Sequence, residues 1–279
     1  MTTHAIIDPN ASMGVSFELI PLKNLEAQLP MLPDGAQVSV TCSPAKGVDA
    51  TMALAARLQG QGLSATPHVS ARLVRDRAHL ADLVSGSVAA GLTEWFVVAG
   101  DAEAPLGAYA DGLSMLRDLL ELRHGLEAVG VPAYPDGHSF IDRAAVTAAL
   151  HQKQAALADA GLPGWASTQL CFDPGVIRAW LSAERAAGLT LPIRLGLAGP
   201  VERTKLLALG MRVGVGQSLR YLKKNGRGLT GLLRGDGYDP DQLLDALDAD
   251  LRPLGVAGIH LFTFNQLGAA VDWHRSLAA

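Results

Sequence analysis

The sequence predicts a single (β/α)8 barrel, a TIM barrel, over residues 1–279, on three observations. Eight short apolar runs alternate with longer amphipathic segments, and several of those segments end in glycine. A length of 279 residues is close to the ~250 residues usual for one such barrel. Two small domains or an open doubly wound sheet would also suit the length, but eight β-then-α units favour closure. No interdomain linker, low-complexity tract or fixed-period repeat divides the chain.

In order, the strand-like runs are VSFELI, QVSVTC, ATPHVS, EWFVVAG, VPAYP, ASTQLCF, PIRLGLA and AGIHLFTF. Each is four to eight residues of mostly β-branched, aromatic or aliphatic character, the length and make-up of a buried parallel strand. Between them, DATMALAARLQGQG, LSMLRDLLELRHGLEAVG and RAAVTAALHQKQAALADAG carry the helical period. Their glycines stand where a left-handed residue closes a helix. An extra helical or loop segment, GVGQSLRYLKKNGRGLTGLLRGDGYDPDQ, is predicted between the seventh and eighth strands. Its Arg220, Lys223, Lys224, Arg227 and Arg234 read either as contacts to an anionic ligand tail or as a solvated basic face.

Bulk properties narrow the function. Hydrophobic residues make up 49% of the chain and charged residues 18%, enough to fill a large core and too apolar for disorder. The net charge of −4 offers no basic field for nucleic acid or an anionic membrane, which leaves small-molecule chemistry. Cys42 and Cys171 lie far apart, with no Cys or His at ligand spacing, so neither a disulfide framework nor a metal site is expected. MTTHAIIDPNAS has no basic or apolar leader character, and no run approaches ~18 apolar residues. The expectation is a cytoplasmic protein, with self-association into a homo-oligomer open.

Barrel active sites stand at the C-terminal ends of the strands, so the polar residues there carry the information. Glu18 lies within the first strand, Thr41 ends the second, His68 the third, and Asp101 follows the fourth. Tyr134 ends the fifth with His138 beyond it, Gln169 lies in the sixth, and Thr263 and Asn265 end the eighth. A lone histidine is more often structural than catalytic, a threonine can cap a helix, and a tyrosine can pack. Glu18 and Asp101 ask for more, because buried carboxylates are rarely kept without a partner or a task. Two acids at one mouth suit acid and base roles or cation binding. GVGQS lacks the third glycine and the strand-turn-helix setting of a dinucleotide loop, and neither GxxxxGK[ST] nor GxSxG occurs.

The ordered series SFELIPLK, VSVTCSP, TPHVSA, VVAGDAEAP, AYADGL, AYPDGH, STQLCFDP and GIHLFTFN resembles the methylenetetrahydrofolate reductase family across almost the whole chain. The resemblance implies a barrel in which reduced FAD passes a hydride to 5,10-methylenetetrahydrofolate, forming 5-methyltetrahydrofolate, or the reverse oxidation in one-carbon metabolism. NADH or NADPH would reduce the flavin. Glu18 matches the family's catalytic glutamate, the general acid that opens the five-membered substrate ring to an iminium. An apolar wall favours the neutral form of a carboxylic acid, which can then deliver a proton. Asp101 matches the aspartate between flavin and folate, and Gln169 the glutamine that orients the pterin, with Phe172 beside it. Thr41, His68, Gly100, Asp101, Tyr109, Ala110, Tyr134, His138 and Lys153 fall on the family's flavin-contact positions.

Departures from the family pattern set up alternatives. The arginine of its RGD is Ala99 here, the second proline of its FEFFPP is Leu22, and Gln266 stands where an arginine is frequent. The family's acid and amide against the adenosine half of FAD have no equivalent in SFIDRAAVTAALHQ. These losses motivate a flavin-independent reductase in which NADH passes its hydride directly to the iminium. A folate-binding protein without catalysis is a third reading, against which the retained Glu18 argues.

Overall fold

A computed structural model describes residues 14–202, 206 and 238–277. The basic residues singled out between 220 and 234 lie outside the described residues. Eight parallel strands close into a barrel in sequence order: β1 Val15–Leu19, β2 Gln37–Val40, β3 Ser64–Ser70, β4 Glu94–Val98, β5 Ala128–Ala133, β6 Gly164–Thr168, β7 Ile193–Ala198 and β8 Val256–Phe262. Closure is made by β1 on β8, where Glu18 is the lateral partner of Phe262 and Ser16 of His260.

The described helices are α1 Leu25–Gln28, α2 Gly47–Gly60, α3 Arg77–Ala90, α4 Gly112–Glu121, α5 Arg143–Asp159, α6 Pro174–Ala186, α7 Asp241–Leu251 and α8 Leu267–Ser276. Outward-facing strand residues such as Leu19, Val38, Val69, Val97, Val131 and Leu197 are fully buried against this helical layer. Asp76, Asp111, Asp142 and Asp173 cap α3 to α6, their carboxylates accepting from first-turn N–H groups. An acid there satisfies orphan donors and complements the helix dipole.

Several boundaries differ from the sequence reading. Residues 122–130, read as helix, leave α4 at Leu122; Gly125 takes a left-handed φ of +60°, and Glu127 N–H already donates to Thr93 of the β4 edge. The fifth strand therefore starts at Ala128, and Tyr134 lies just past its end. The sixth ends at Thr168, leaving Gln169 in the following loop. His68 does not end its strand but lies two residues inside it. At the base of the insertion between β7 and β8, Val201 and Tyr238 form an antiparallel bridge. Among the described residues no helix is long and apolar enough to cross a membrane.

Candidate active site

Strand alternation decides which side chains enter the lumen. Phe17 packs edge-on against His274 of α8, so its neighbours Ser16 and Glu18 face inward. Trp95 donates its indole N–H to Ser87 of α3, which turns Glu94 and Phe96 inward. The lumen that results is polar in two layers, whereas such barrels are usually filled by branched apolar side chains.

The lower layer lies near the strand starts. Arg194 of β7 reaches across to Glu94 of β4 at 3.6 Å, and its guanidinium carbon stands 3.9 Å from the centroid of the Trp165 ring. Thr66 donates to the same Glu94 oxygen at 3.3 Å.

In the upper layer Glu18, His68 and His260 converge from β1, β3 and β8, and all three are buried. His260 Nε2 is 3.2 Å from Glu18 Oε2, a contact in which either group can hold the proton. Phe96 and Phe262 pack against the His260 ring, and Phe96 against His68. Burial, with His260 adding to it, pushes the His68 imidazole down to about 3, so it is neutral. Among the described residues its Nε2 has no hydrogen-bond partner, and neither has the hydroxyl of Ser39, the lateral neighbour of Glu18.

The seam between β8 and β1 fixes Glu18. Thr263 Oγ1 donates to the Glu18 carbonyl, and Asn265 N–H donates to that hydroxyl at 3.2 Å. The Asn265 amide pairs with both backbone groups of Ile20, at 2.9 and 2.7 Å. To do so Phe264 and Asn265 hold left-handed φ values of 50° and 55°, a conformation that costs about 1 kcal/mol or more for residues other than glycine. Thr263 and Asn265, expected at the mouth, instead brace the strand that delivers the acid.

Above this lies the rim. Asp101 is exposed after β4; Tyr134 and His138 meet edge to face at 5.1 Å after β5. Burial, and then the Asp101 charge, pushes the Tyr134 hydroxyl up to about 12; burial lowers His138 against an opposing pull from Asp101. Gly100 holds φ +89°, and a Cβ there would stand 1.6 Å from Ser70 Oγ, so only glycine lets the Asp101 loop close on β3. Half-buried Gln169 turns its carbonyl back onto the Leu170 N–H, leaving its amide N–H2 to the rim.

Other expected site residues are engaged within the fold or set at its surface. Thr41 donates back to the Leu19 carbonyl at 3.2 Å. Phe172 is sealed in an apolar cluster with Leu170, Val201, Tyr238 and Phe264. Tyr109 is buried in the helical layer with its hydroxyl on Asp118 at 2.7 Å. Ala110 is exposed, its carbonyl gripped by Arg72. Lys153 is buried in α5, where burial pushes its ammonium down to about 8 against the pull of Asp111.

A flavin dinucleotide needs donors for its diphosphate, and several of the described donors near these positions are already engaged. Asp111 occupies the first N–H groups of α4 at 2.8 and 2.9 Å, Arg72 is engaged by the carbonyls of Ala102 and Ala110, and Lys153 is buried. A cleft of about 510 Å³ between α5 and α6 shares Tyr134 with the rim but none of the lumen residues.

His260 was not singled out from sequence. The available signal was the alternation GIHLF, which puts His260 on the face of Phe262, one strand from Glu18 on closure.

No protein-family model matches the chain. Solved structures of similar shape include a candidate phosphonomutase of Burkholderia cenocepacia, 13% identical over 95% of this chain and 91% of that one, with a TM-score of 0.49. Another is the dihydropteroate synthase of Thermus thermophilus, 17% identical over 98% and 94%, also at 0.49. A candidate lyase or mutase, again of Burkholderia cenocepacia, is 15% identical over 94% and 80%, with the same score of 0.49. At these values the likenesses carry nothing about activity, and the barrel assignment rests on the strand order itself.

Proposed function

We propose that this barrel reduces 5,10-methylenetetrahydrofolate to 5-methyltetrahydrofolate, or runs the reverse oxidation, with a reduced nicotinamide as the direct hydride donor. The observation that carries the reading is Glu18: an acid buried under the barrel mouth, whose side chain meets a titratable partner, His260, and, among the described residues, no permanent cation. Such a carboxyl can hold a proton and release it to a leaving amine. In the proposed step the Glu18 proton passes to the departing nitrogen of the imidazolidine ring as its bond to the bridging carbon breaks. The other ring nitrogen forms the iminium, and hydride from the nicotinamide C4 then adds to that carbon. Asp101, an acceptor on the rim, faces the cation and the pterin N–H edge, and the free Gln169 amide N–H2 donates to the pterin.

A second, flavin-dependent reading is favoured by the grouping of Gly100, Asp101, Tyr134 and His138 at the rim, where an isoalloxazine ring would lie. One experiment separates the two. The purified full-length protein is scanned for visible flavin bands, then incubated with 5,10-methylenetetrahydrofolate and NADH deuterated at C4. A colourless protein that places deuterium in the methyl group supports direct transfer. Bound flavin required for turnover supports the second reading, and folate binding without product defeats both in favour of a carrier.

A further inference from the structure

Glu18, His68 and His260 bring a carboxylate and two imidazoles to one point inside the barrel, with donor atoms all within 4.8 Å of one another. Each residue is more than nine-tenths buried, at 7%, 8% and 5% exposure. The Glu18 and His260 pair accounts for one contact and leaves His68 Nε2 without a hydrogen-bond partner among the described residues. An orphaned buried imidazole nitrogen costs about 1–3 kcal/mol and calls for an explanation. That unpartnered nitrogen can turn a lone pair to an ion. Two imidazoles and one carboxylate form an N/O donor set suited to zinc-type ions rather than Mg²⁺ or Ca²⁺, with a fourth position left for water. Donors at about 2.0–2.2 Å from one tetrahedral ion stand about 3.3–3.6 Å apart, so the cluster closes on an ion when its widest pair draws in by up to about 1.5 Å, a side-chain movement. Outer contacts suit the role: Thr263 holds the Glu18 backbone, and Phe96 and Phe262 shield the rings from solvent.

We propose that Glu18, His68 and His260 bind one divalent transition-metal ion of the zinc type within the barrel, and that this ion switches the site off by taking the Glu18 carboxylate out of proton transfer. The ion is held by the Glu18 carboxylate and by neutral imidazole nitrogens, and any proton displaced from these ligands leaves to solvent. Metal binding stands on the geometry alone; the switch rests on the reading of Glu18 as proton donor.

The test uses the full-length protein freed of metal by chelation and titrated with Co²⁺, whose visible d–d bands report coordination. One equivalent is expected to produce bands that Zn²⁺ abolishes by displacement. His68→Ala and Glu18→Gln, checked as folded by circular dichroism, are each expected to weaken binding about 100-fold. Cys42→Ser is expected to leave the bands intact, which separates this cluster from a thiol site. Absence of bands in the unmodified protein overturns the site, a result that needs no variant to fold. Bands lost in Cys42→Ser but kept in His68→Ala overturn it equally. Saturating Zn²⁺ is expected to stop reductase turnover; binding with undiminished turnover overturns the switch. Absence of turnover in the metal-free protein defeats the proposed reaction, and the Co²⁺ spectrum still decides the site.

Discussion

Two carboxylates enter the lumen of this barrel, Glu94 near the start of β4 and Glu18 near the end of β1, and they are held in opposite ways. Glu94 faces Arg194, a cation at every accessible pH, which is itself stacked on Trp165. That arrangement locks the charge in place and ties β4 to β7 across the barrel floor. Glu18 faces His260, which can take or return a proton, and lies beside a neutral His68 with an idle nitrogen. The same residue type thus serves as a structural tie where its partner cannot titrate, and as a reactive group where it can.

Removing the lower cation tests the structural half of this division. Arg194→Met strands Glu94 and removes the contact with Trp165. Because the Glu94 side chain is about a third exposed, the expected loss is about 2–3 kcal/mol of unfolding free energy in urea titration. Turnover per folded molecule should stay within about twofold; a tenfold fall would mean that the floor is part of the catalytic apparatus.

Asn265→Ala acts on the brace between the two roles. It removes both bonds to Ile20 and leaves alanine in a left-handed conformation, for an expected loss of about 2 kcal/mol. Turnover should fall about tenfold, because the end of β1 that aims Glu18 is loosened. A stability loss with unchanged kcat would show that Asn265 only holds the fold.

His260→Gln belongs to the upper layer and should show the reverse balance. Stability is expected to change by about 1 kcal/mol, since glutamine can still donate to Glu18. Turnover is expected to fall about 10-fold to 100-fold with a displaced pH profile, the readout that separates proton relay from packing.

Lys153 is a third kind of buried charge, in the helical layer rather than the lumen, and its expected effect is the smallest per pH unit. Burial pushes its ammonium down to about 8, while an unfolded lysine titrates near ~10.4. Between those values the unfolded chain binds more protons, so stability rises with pH. Relative to Lys153→Met, the natural protein should gain up to ~1 kcal/mol per pH unit from about pH 8 to about pH 10. A flat difference would place the ammonium in water.

The fold was legible because all eight strands are apolar runs set off by turns or by helix-period segments, the pattern that a parallel sheet under helices imposes. Glu18 was legible for the complementary reason, as an acid in a run that otherwise buries itself. His260 escaped because its contact spans 242 residues of sequence and exists only once β8 meets β1. Tyr109 and Lys153 were aimed at a ligand by resemblance, whereas the packing of α4 and α5 turns both into the helical layer. Thr263 and Asn265 look like rim residues in a linear reading; only the left-handed turn at Phe264 and Asn265 and the bonds it allows reveal that they face β1.

The central claim, that the upper carboxylate gives the proton, is tested most directly by Glu18→Gln, measured for both turnover and folate affinity. Glutamine keeps the shape and a hydrogen bond to His260 but has no acidic proton. The account predicts that turnover falls about 10³-fold while the dissociation constant for the folate stays within about threefold. Turnover equal to that of the natural protein would contradict it and remove Glu18 from the chemistry.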